Sequence, residues 1–369
     1  MSLHLPADLH RVEPFTPGMN AAQVAAEFGV DPAKVVKLGS GENPFGPSPA
    51  AIDAISAALA GLHQYPEWTA HDLRRAVAVR EGVDPAQVIC GAGETELISA
   101  LMRVFAEPGD EILMHRTTFP VYHLYAEAER RRPVFADAGD GPVLSVDDVI
   151  AKVTARTRVI FLTTPHNPSG RVVPMAEIRR VCVAAPDALV VVDEAYIHFS
   201  EQETAVGLLA EFTNLIVLRT FSKAYGLASL RVGFAIAAPQ ITDLLMRVKP
   251  TWNLGNAQVA GAVAALGDRE HVVRTAETIK KNRASTAAEI AGIAGLSVVE
   301  ESQANFLLVR LDDRRLTSTG LHHELARRGL VIKDCSVSYL GLDDRHVRID
   351  IAEDAVMRRL VDALREVVA

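Results

Sequence analysis

Apolar residues along this chain gather into short unbroken runs, separated by stretches with helical spacing. The runs are QVIC (87–90), EILM (111–114), PVFA (133–136), VIFL (159–162), LVVV (189–192), LIVL (215–218) and VGFAI (232–236). Several are rich in Val and Ile and lack polar alternation, which is the pattern of strands buried on both faces. Between them, Glu94 to Phe105 sets Leu97, Leu101 and Val104 on one helical face. Ser145-Val146-Asp147-Asp148 has the form of a capping box and leads into Val149, Ile150 and Val153. Strand–helix alternation of this kind predicts an α/β domain on a mostly parallel, seven-stranded sheet.

After about residue 255 the pattern changes. One long helical stretch (257–293) leads to NFLLVR (305–310), then to a helix with Leu321, Leu325 and Leu330 near its end. LVIK (330–333), HVRIDI (346–351) and a closing helix with Val356, Leu360, Leu364 and Val367 on one face complete the chain. The expected organisation is an arm or connector over 1–44, a large α/β domain over 45–256 and a smaller α+β domain over 257–369.

The chain's 369 residues are too many for one ordinary core, which agrees with two domains. A formal net charge of -8 offers nothing to a nucleic-acid backbone or an anionic membrane. The basic run Arg130-Arg131-Arg132 reads as a solvated helix end. No segment approaches 18 unbroken apolar residues, so no membrane span is expected. Cys90, Cys182 and Cys335 are scattered and odd in number, giving neither a disulfide framework nor zinc spacing. His322 and His323 read as solvated, not as metal ligands. The segment MSLHLPADLH has no basic and apolar leader pattern, and the expected compartment is a reduced cytoplasm.

Four motifs stand at the carboxyl ends of expected strands, where open α/β sheets collect ligands. In TFSKAYGLASLR, Thr220 and Ser222 precede an expected helix, and Arg231 follows Lys223 by eight residues. Hydroxyls, free N–H groups at a helix N-terminus and a guanidinium together make a phosphate site. A lysine there either holds the phosphate as a charge or binds a phosphorylated aldehyde covalently. A Walker loop is excluded, because no G-x-x-x-x-G-K-[ST] is present. In VVVDEAY, Asp193 ends an apolar strand, a costly place for a carboxylate that lacks a cationic partner such as a protonated pyridine. In TTPHNPSG, two prolines flank Asn167 and restrict it. GAGETE (91–96) is a weak phosphate signal alone.

Taken together, the motifs resemble fold-type I pyridoxal-phosphate aminotransferases of class I/II, in the histidinol-phosphate and aromatic aminotransferase branch. The stretches that carry the resemblance are KLGSGENPFGPSP (37–49), YPEW (65–68), GAGETE, TPHNPSG (164–170), VVDEAYIHF (191–199), TFSKAYGLASLRVGF (220–234), NFLLVR and VRIDI (347–351). The resemblance implies pyridoxal 5'-phosphate as cofactor, bound covalently to Lys223. It implies that Asp193 pairs with the pyridine nitrogen, that Tyr196 and Asn167 bond the ring oxygen, and that Phe119 stacks on the ring. The phosphate is then held by Gly93, Glu94 and Thr95, by the hydroxyls of Thr220 and Ser222, and by Arg231. Tyr65 reaches the neighbouring subunit's phosphate, which implies a homodimer with shared sites. Arg348 grips a substrate acid group, and Gly41 lies where the N-terminal segment crosses the substrate. The implied reaction moves an amino group from an amino donor to a 2-oxo acid, with 2-oxoglutarate as acceptor. A decarboxylase or amino-acid oxidase on the same fold stays open as an alternative.

The chain departs from the family pattern at several positions. Lys333 stands where histidinol-phosphate enzymes carry an arginine, and lysine lacks the bidentate fork. Phe15 lies near a usual tyrosine. Gly41 and His166 replace asparagines. Glu94 is unexpected beside a phosphate, and like-charge repulsion predicts that its side chain points away.

Overall fold

Strand β1 (Val36–Leu38) comes first in the computed structural model, which describes residues 9–10, 12–15, 17–137, 144–299 and 301–369. The first eight residues of the expected arm lie outside the described ones. Seven strands follow: β2 (Val88–Gly91), β3 (Glu111–His115), β4 (Arg132–Ala136), β5 (Thr157–Thr163), β6 (Leu189–Asp193), β7 (Leu215–Thr220) and β8 (Gly233–Ala237). They form one sheet in the order β2-β8-β7-β6-β5-β3-β4. Strand β8 runs antiparallel to both neighbours and the other pairings are parallel, so β2, β3, β4, β5, β6 and β7 share one carboxyl edge. The expected runs match these strands to within two residues at each end. Strands β6, β7 and β8 are buried along their whole length, as their unbroken apolar sequences require.

The second sheet joins β1 to β9 (Leu296–Val298), β10 (Phe306–Leu311), β11 (Leu330–Asp334) and β12 (His346–Asp350), in the order β1-β11-β12-β10-β9. Leu330 therefore opens a strand and does not close the preceding helix, which runs Ser318–Ala326. The stretch 257–293 is two helices, Asn256–Gly267 and Arg269–Ala291. Asp268 divides them and caps the second, accepting from the His271 N–H at 3.1 Å. The first packs against helices Pro49–Ala58 and His71–Glu81; the second packs on β9 and the closing helix Asp354–Val368.

A buried ion-pair network fixes the carboxyl ends of β6 and β7. Arg219 Nε lies 2.9 Å from Glu194 Oε2, and its Nη1 lies 2.9 Å from Glu81 Oε1. Glu194 also accepts from Thr204 Oγ1 at 2.8 Å and from the Ala205 N–H at 2.6 Å. Asp193 and Thr220 are the chain neighbours of Glu194 and Arg219, so this network holds the backbone on which the candidate site is built.

Candidate active site

A cavity of about 600 Å³ opens at the carboxyl edge of the large sheet, against β11 and β12 of the small one. Phe119, Asn167, Tyr196, Lys223, Lys333 and Arg348 line it, as does Phe15 at its exposed rim. Six residues far apart in sequence thus meet in one cavity.

Lys223 Nζ donates to Ser40 O at 3.1 Å and lies 5.5 Å from the centre of the Tyr196 ring. Burial, and then the nearby Arg348 charge, lower its pKa to about 8. A lysine amine in that range is available as a nucleophile and a proton carrier. The covalent uptake of an aldehyde needs the neutral amine, so uptake by cofactor-free protein is expected to speed up with rising pH. Below the midpoint near 8 the rate should change roughly tenfold per pH unit, then level off above it. A flat rate profile from pH 6.5 to pH 9, followed by absorbance after ~equimolar cofactor addition, would count against this environment for Lys223.

Asp193 ends β6 with only 3% of its surface exposed. Its carboxylate accepts from the Ala195 N–H at 3.0 Å and from the Tyr122 hydroxyl. Tyr122, three residues after Phe119, carries no sequence signal of this role. Asn167 Oδ1 accepts from Tyr339 OH at 2.7 Å and from Arg348 Nη1 at 2.9 Å. With its oxygen so engaged, the amide presents its NH₂ as donor, which suits a phenolate-like oxygen. Burial pushes the Tyr196 hydroxyl well above its usual pKa, so it too is a donor. His166 is buried and bonds Ser169 Oγ at 2.9 Å; burial and His115 lower its pKa to about 3, so it is neutral.

The phosphate cup departs from expectation in one respect. The helix that supplies it is Glu94–Phe105, not one following Lys223, where only the short turn Ala228–Leu230 forms. Gly226, in a turn at φ 69°, makes room for the Gly46 backbone. The chain after Lys223 supplies side chains instead. Thr220 Oγ1 lies 2.9 Å from Ser222 Oγ, and Arg231 Nη1 lies 3.4 Å from the same oxygen. Gly93 precedes the helix at φ 77°, and a Cβ there would collide with the Arg231 guanidinium. This glycine brings the helix N-terminus, with the backbone of Glu94 and Thr95, against Ser222 and Arg231.

A second point concerns Glu94. Its carboxyl lies toward Asp193, with Oε1 buried and without a hydrogen-bond partner. Burial and the Asp193 charge raise its pKa well above the carboxylate range. The shift favours the protonated form and so eases the repulsion between Glu94 and Asp193.

Tyr65 lies away from the cavity lining. It is 79% exposed and stacks on Trp252 at 4.3 Å between ring centres. Sequence reading missed Tyr339, described above, which lines the cavity, and Asp350, which stands behind the lining residue Arg348. Asp350 Oδ1 lies 3.1 Å from Arg348 Nη2, and its Oδ2 accepts from the Gly41 N–H. Arg348 also donates to Gly39 O at 3.0 Å.

An anion cup, a lysine with a lowered pKa, a buried carboxylate and an amide donor fit a phosphorylated pyridine aldehyde in type and order. Comparison with known proteins agrees. The family described as aminotransferase class I and II matches residues 33–364. Histidinol-phosphate aminotransferases of Methanothermobacter thermautotrophicus and Methanocella arvoryzae are 36% and 37% identical to this chain, over 98% and 97% of its length and 96% and 97% of theirs. The solved histidinol-phosphate aminotransferase of Sinorhizobium meliloti, in complex with pyridoxal-5'-phosphate, matches with a TM-score of 0.88 at 26% identity. That match covers 100% of this chain and 98% of that one.

Proposed function

The chain belongs to the class I and II aminotransferases and uses pyridoxal 5'-phosphate, and we propose that it moves the amino group of histidinol phosphate to 2-oxoglutarate. The observation that carries the donor assignment is a pair of cations on one cavity wall. Arg348 is already engaged by Asn167, Tyr339, Gly39 and Asp350. Lys333 lines the same cavity, and among the described residues no hydrogen bond or salt bridge engages its ammonium. A donor that carries a phosphate ester one carbon from the reacting carbon supplies the anion for Lys333. Arg348 serves the acid group of the 2-oxo acid.

The bound cofactor supplies an electron sink for the charge left when the donor's Cα–H bond breaks. Asp193 would hold a positive charge at the ring nitrogen, and Asn167 and Tyr196 would direct N–H and O–H groups to the ring oxygen. The backbone of Glu94 and Thr95, with Thr220, Ser222 and Arg231, would hold the phosphate. Lys223 Nζ would remove the donor's Cα proton and return it, first as base and then as acid. Phe119 and the cavity's enclosure keep water from the reacting face.

The test is a panel of donors mixed with the purified holoenzyme, with the cofactor's absorbance followed for each. Histidinol phosphate should convert fastest among itself, phenylalanine, tyrosine, glutamate and lysine. Lys333→Ala should lower kcat/KM for histidinol phosphate by about tenfold to a hundredfold and leave phenylalanine nearly unchanged. No conversion with histidinol phosphate, alongside conversion with another donor, would remove this assignment.

The functional unit in this reading is a cytoplasmic homodimer. Leu59, Leu62, Tyr65, Trp68, Val248 and Trp252 are large apolar side chains left exposed along one region of the surface. Tyr65 and Trp252 stack there, and Lys249 bonds Trp68 O at 2.8 Å, which joins the two segments. A second copy covering this region would place Tyr65 at its partner's phosphate cup. Sedimentation should return twice the chain's 39.8 kDa, and Tyr65→Ala should weaken cofactor retention. A monomer at micromolar concentration with full cofactor affinity would contradict the shared site.

A further inference from the structure

We propose that His123 reads the side-chain ring of the amino donor, selecting an imidazole, which carries its own N–H and acceptor nitrogen, over a phenyl ring. The proposal rests on the aminotransferase reading above and names the residue that tells ring-bearing donors apart.

His123 reaches the cavity from helix Val121–Ala128, which starts just after Phe119. Val121, Tyr122 and Ala126 of that helix are buried, and Tyr122 bonds Asp193. His123 and Leu124 line the cavity instead. The His123 ring is half-buried and meets Phe135 edge-on, with ring centres 6.2 Å apart. Among the described residues no hydrogen bond engages either of its nitrogens. Burial lowers its pKa, so at neutral pH the ring offers one N–H and one lone pair.

The surroundings of His123 are largely apolar. Phe15, Pro17, Leu124, Val337 and Leu340 line the outer part of the cavity with it. The loop after β11 that supplies two of them is pinned to the large domain. Thr117 Oγ1 donates to Leu340 O at 2.9 Å, and a Cβ on Gly341 would lie 2.8 Å from the same Thr117 oxygen. Two polar groups of that loop are already engaged: Ser336 Oγ bonds Asp334 at 2.7 Å, and Tyr339 OH bonds Asn167 at 2.7 Å. Glu13 at the exposed rim and the small hydroxyl of Ser338 also line the cavity. His123 is larger than either, and its contact with Phe135 directs its nitrogens.

The donor's geometry brings its ring to this place. Its amine goes to the cofactor, its hydrogen to Lys223 and its phosphate ester to Lys333. The remaining substituent of the tetrahedral carbon then leads away from the wall of β11 and β12, toward the large-domain side where His123 stands. An imidazole there pairs with His123 in either tautomer, the N–H of one ring on the lone pair of the other. A phenyl ring covers the apolar surface as well, but it displaces water from the His123 nitrogens and leaves them unpaired. A site built to hydrogen-bond its ligand rejects the analogue that cannot do so.

Two pairs of ligands that differ only in the ring test this on the holoenzyme. Imidazolylpropyl phosphate and phenylpropyl phosphate lack the amine, cannot react, and give dissociation constants by calorimetry. L-histidine and L-phenylalanine react, and give kcat/KM without a phosphate. In each pair the wild type should favour the imidazole by about tenfold or more. His123→Leu should bring both ratios to within about threefold of unity. His123→Gln, which keeps a donor and an acceptor, should restore most of the preference. Each ratio is taken on one preparation, so a loss of folded enzyme cancels from it. A wild type with no ring preference overturns the proposal. So do ratios that stay within about twofold of the wild type in His123→Leu, or that fall instead in Glu13→Gln or Ser338→Ala. If histidinol phosphate is inert while the histidine-to-phenylalanine ratio falls in His123→Leu, the donor assignment fails and His123 keeps its role. If histidinol phosphate is the best donor while both ratios stay fixed, the reverse holds.

Discussion

Lys223→Ala is expected to fold, to retain cofactor through the phosphate cup, and to lose turnover by about four orders of magnitude or more. The size follows from what the one amine does. It holds the cofactor covalently, and it carries the proton that leaves and returns during the reaction. The surrounding contacts keep the cavity formed without it, because Arg348, Asn167, Tyr339 and Asp350 bond one another independently of the lysine. The visible absorbance of the linked cofactor should be replaced by that of the free aldehyde. Turnover within about tenfold of the wild type would end the assignment of Lys223.

Arg219→Leu is expected to cost about 3–5 kcal/mol of stability, read as a lower urea midpoint. Arg219 is the single cation between two buried carboxylates, Glu194 and Glu81, each 2.9 Å away. Truncating it leaves both uncompensated. The companion change Glu194→Gln should recover part of the loss, because the amide needs no counter-charge while it can still accept from Thr204 Oγ1. Cofactor affinity should fall along with stability, since Asp193 and Thr220 adjoin the network. An Arg219→Leu midpoint equal to the wild type would show that the triad does not support the site.

Much of the large sheet was legible because its strands are buried on both faces. LVVV and LIVL can belong to few other structures, and their strand ends carry the polar residues that ligands need. The site motifs were legible for a related reason. Asp193 at the end of an apolar strand and Lys223 between hydroxyls are expensive or purposeless unless something binds there. What escaped were features decided by distant contacts. Strand β1 is three residues long and exists only because β11 pairs with it in parallel. The helix break at Asp268 hides in a continuous apolar pattern, although Gly267-Asp268 is a stop followed by a cap. The chain after Lys223 forms only the short turn Ala228–Leu230 in place of the expected helix, so the cup takes its N–H groups from Glu94–Phe105 alone. Asp350 reads as the polar member of an alternating strand, and its meaning depends on Arg348 and on Gly41, which lies 309 residues away. The direction of the Glu94 carboxyl needed the position of Asp193 to be understood.

The central claim is that Lys223 is the residue to which the cofactor is joined. Borohydride reduction of the holoenzyme fixes that linkage, and mass spectrometry of the tryptic peptides then locates it. The account predicts one labelled peptide, TFSKAYGLASLR, uncut at Lys223 and carrying the reduced cofactor. Label on Lys249, on Lys333 or spread over several lysines, with an unmodified Lys223, would contradict it.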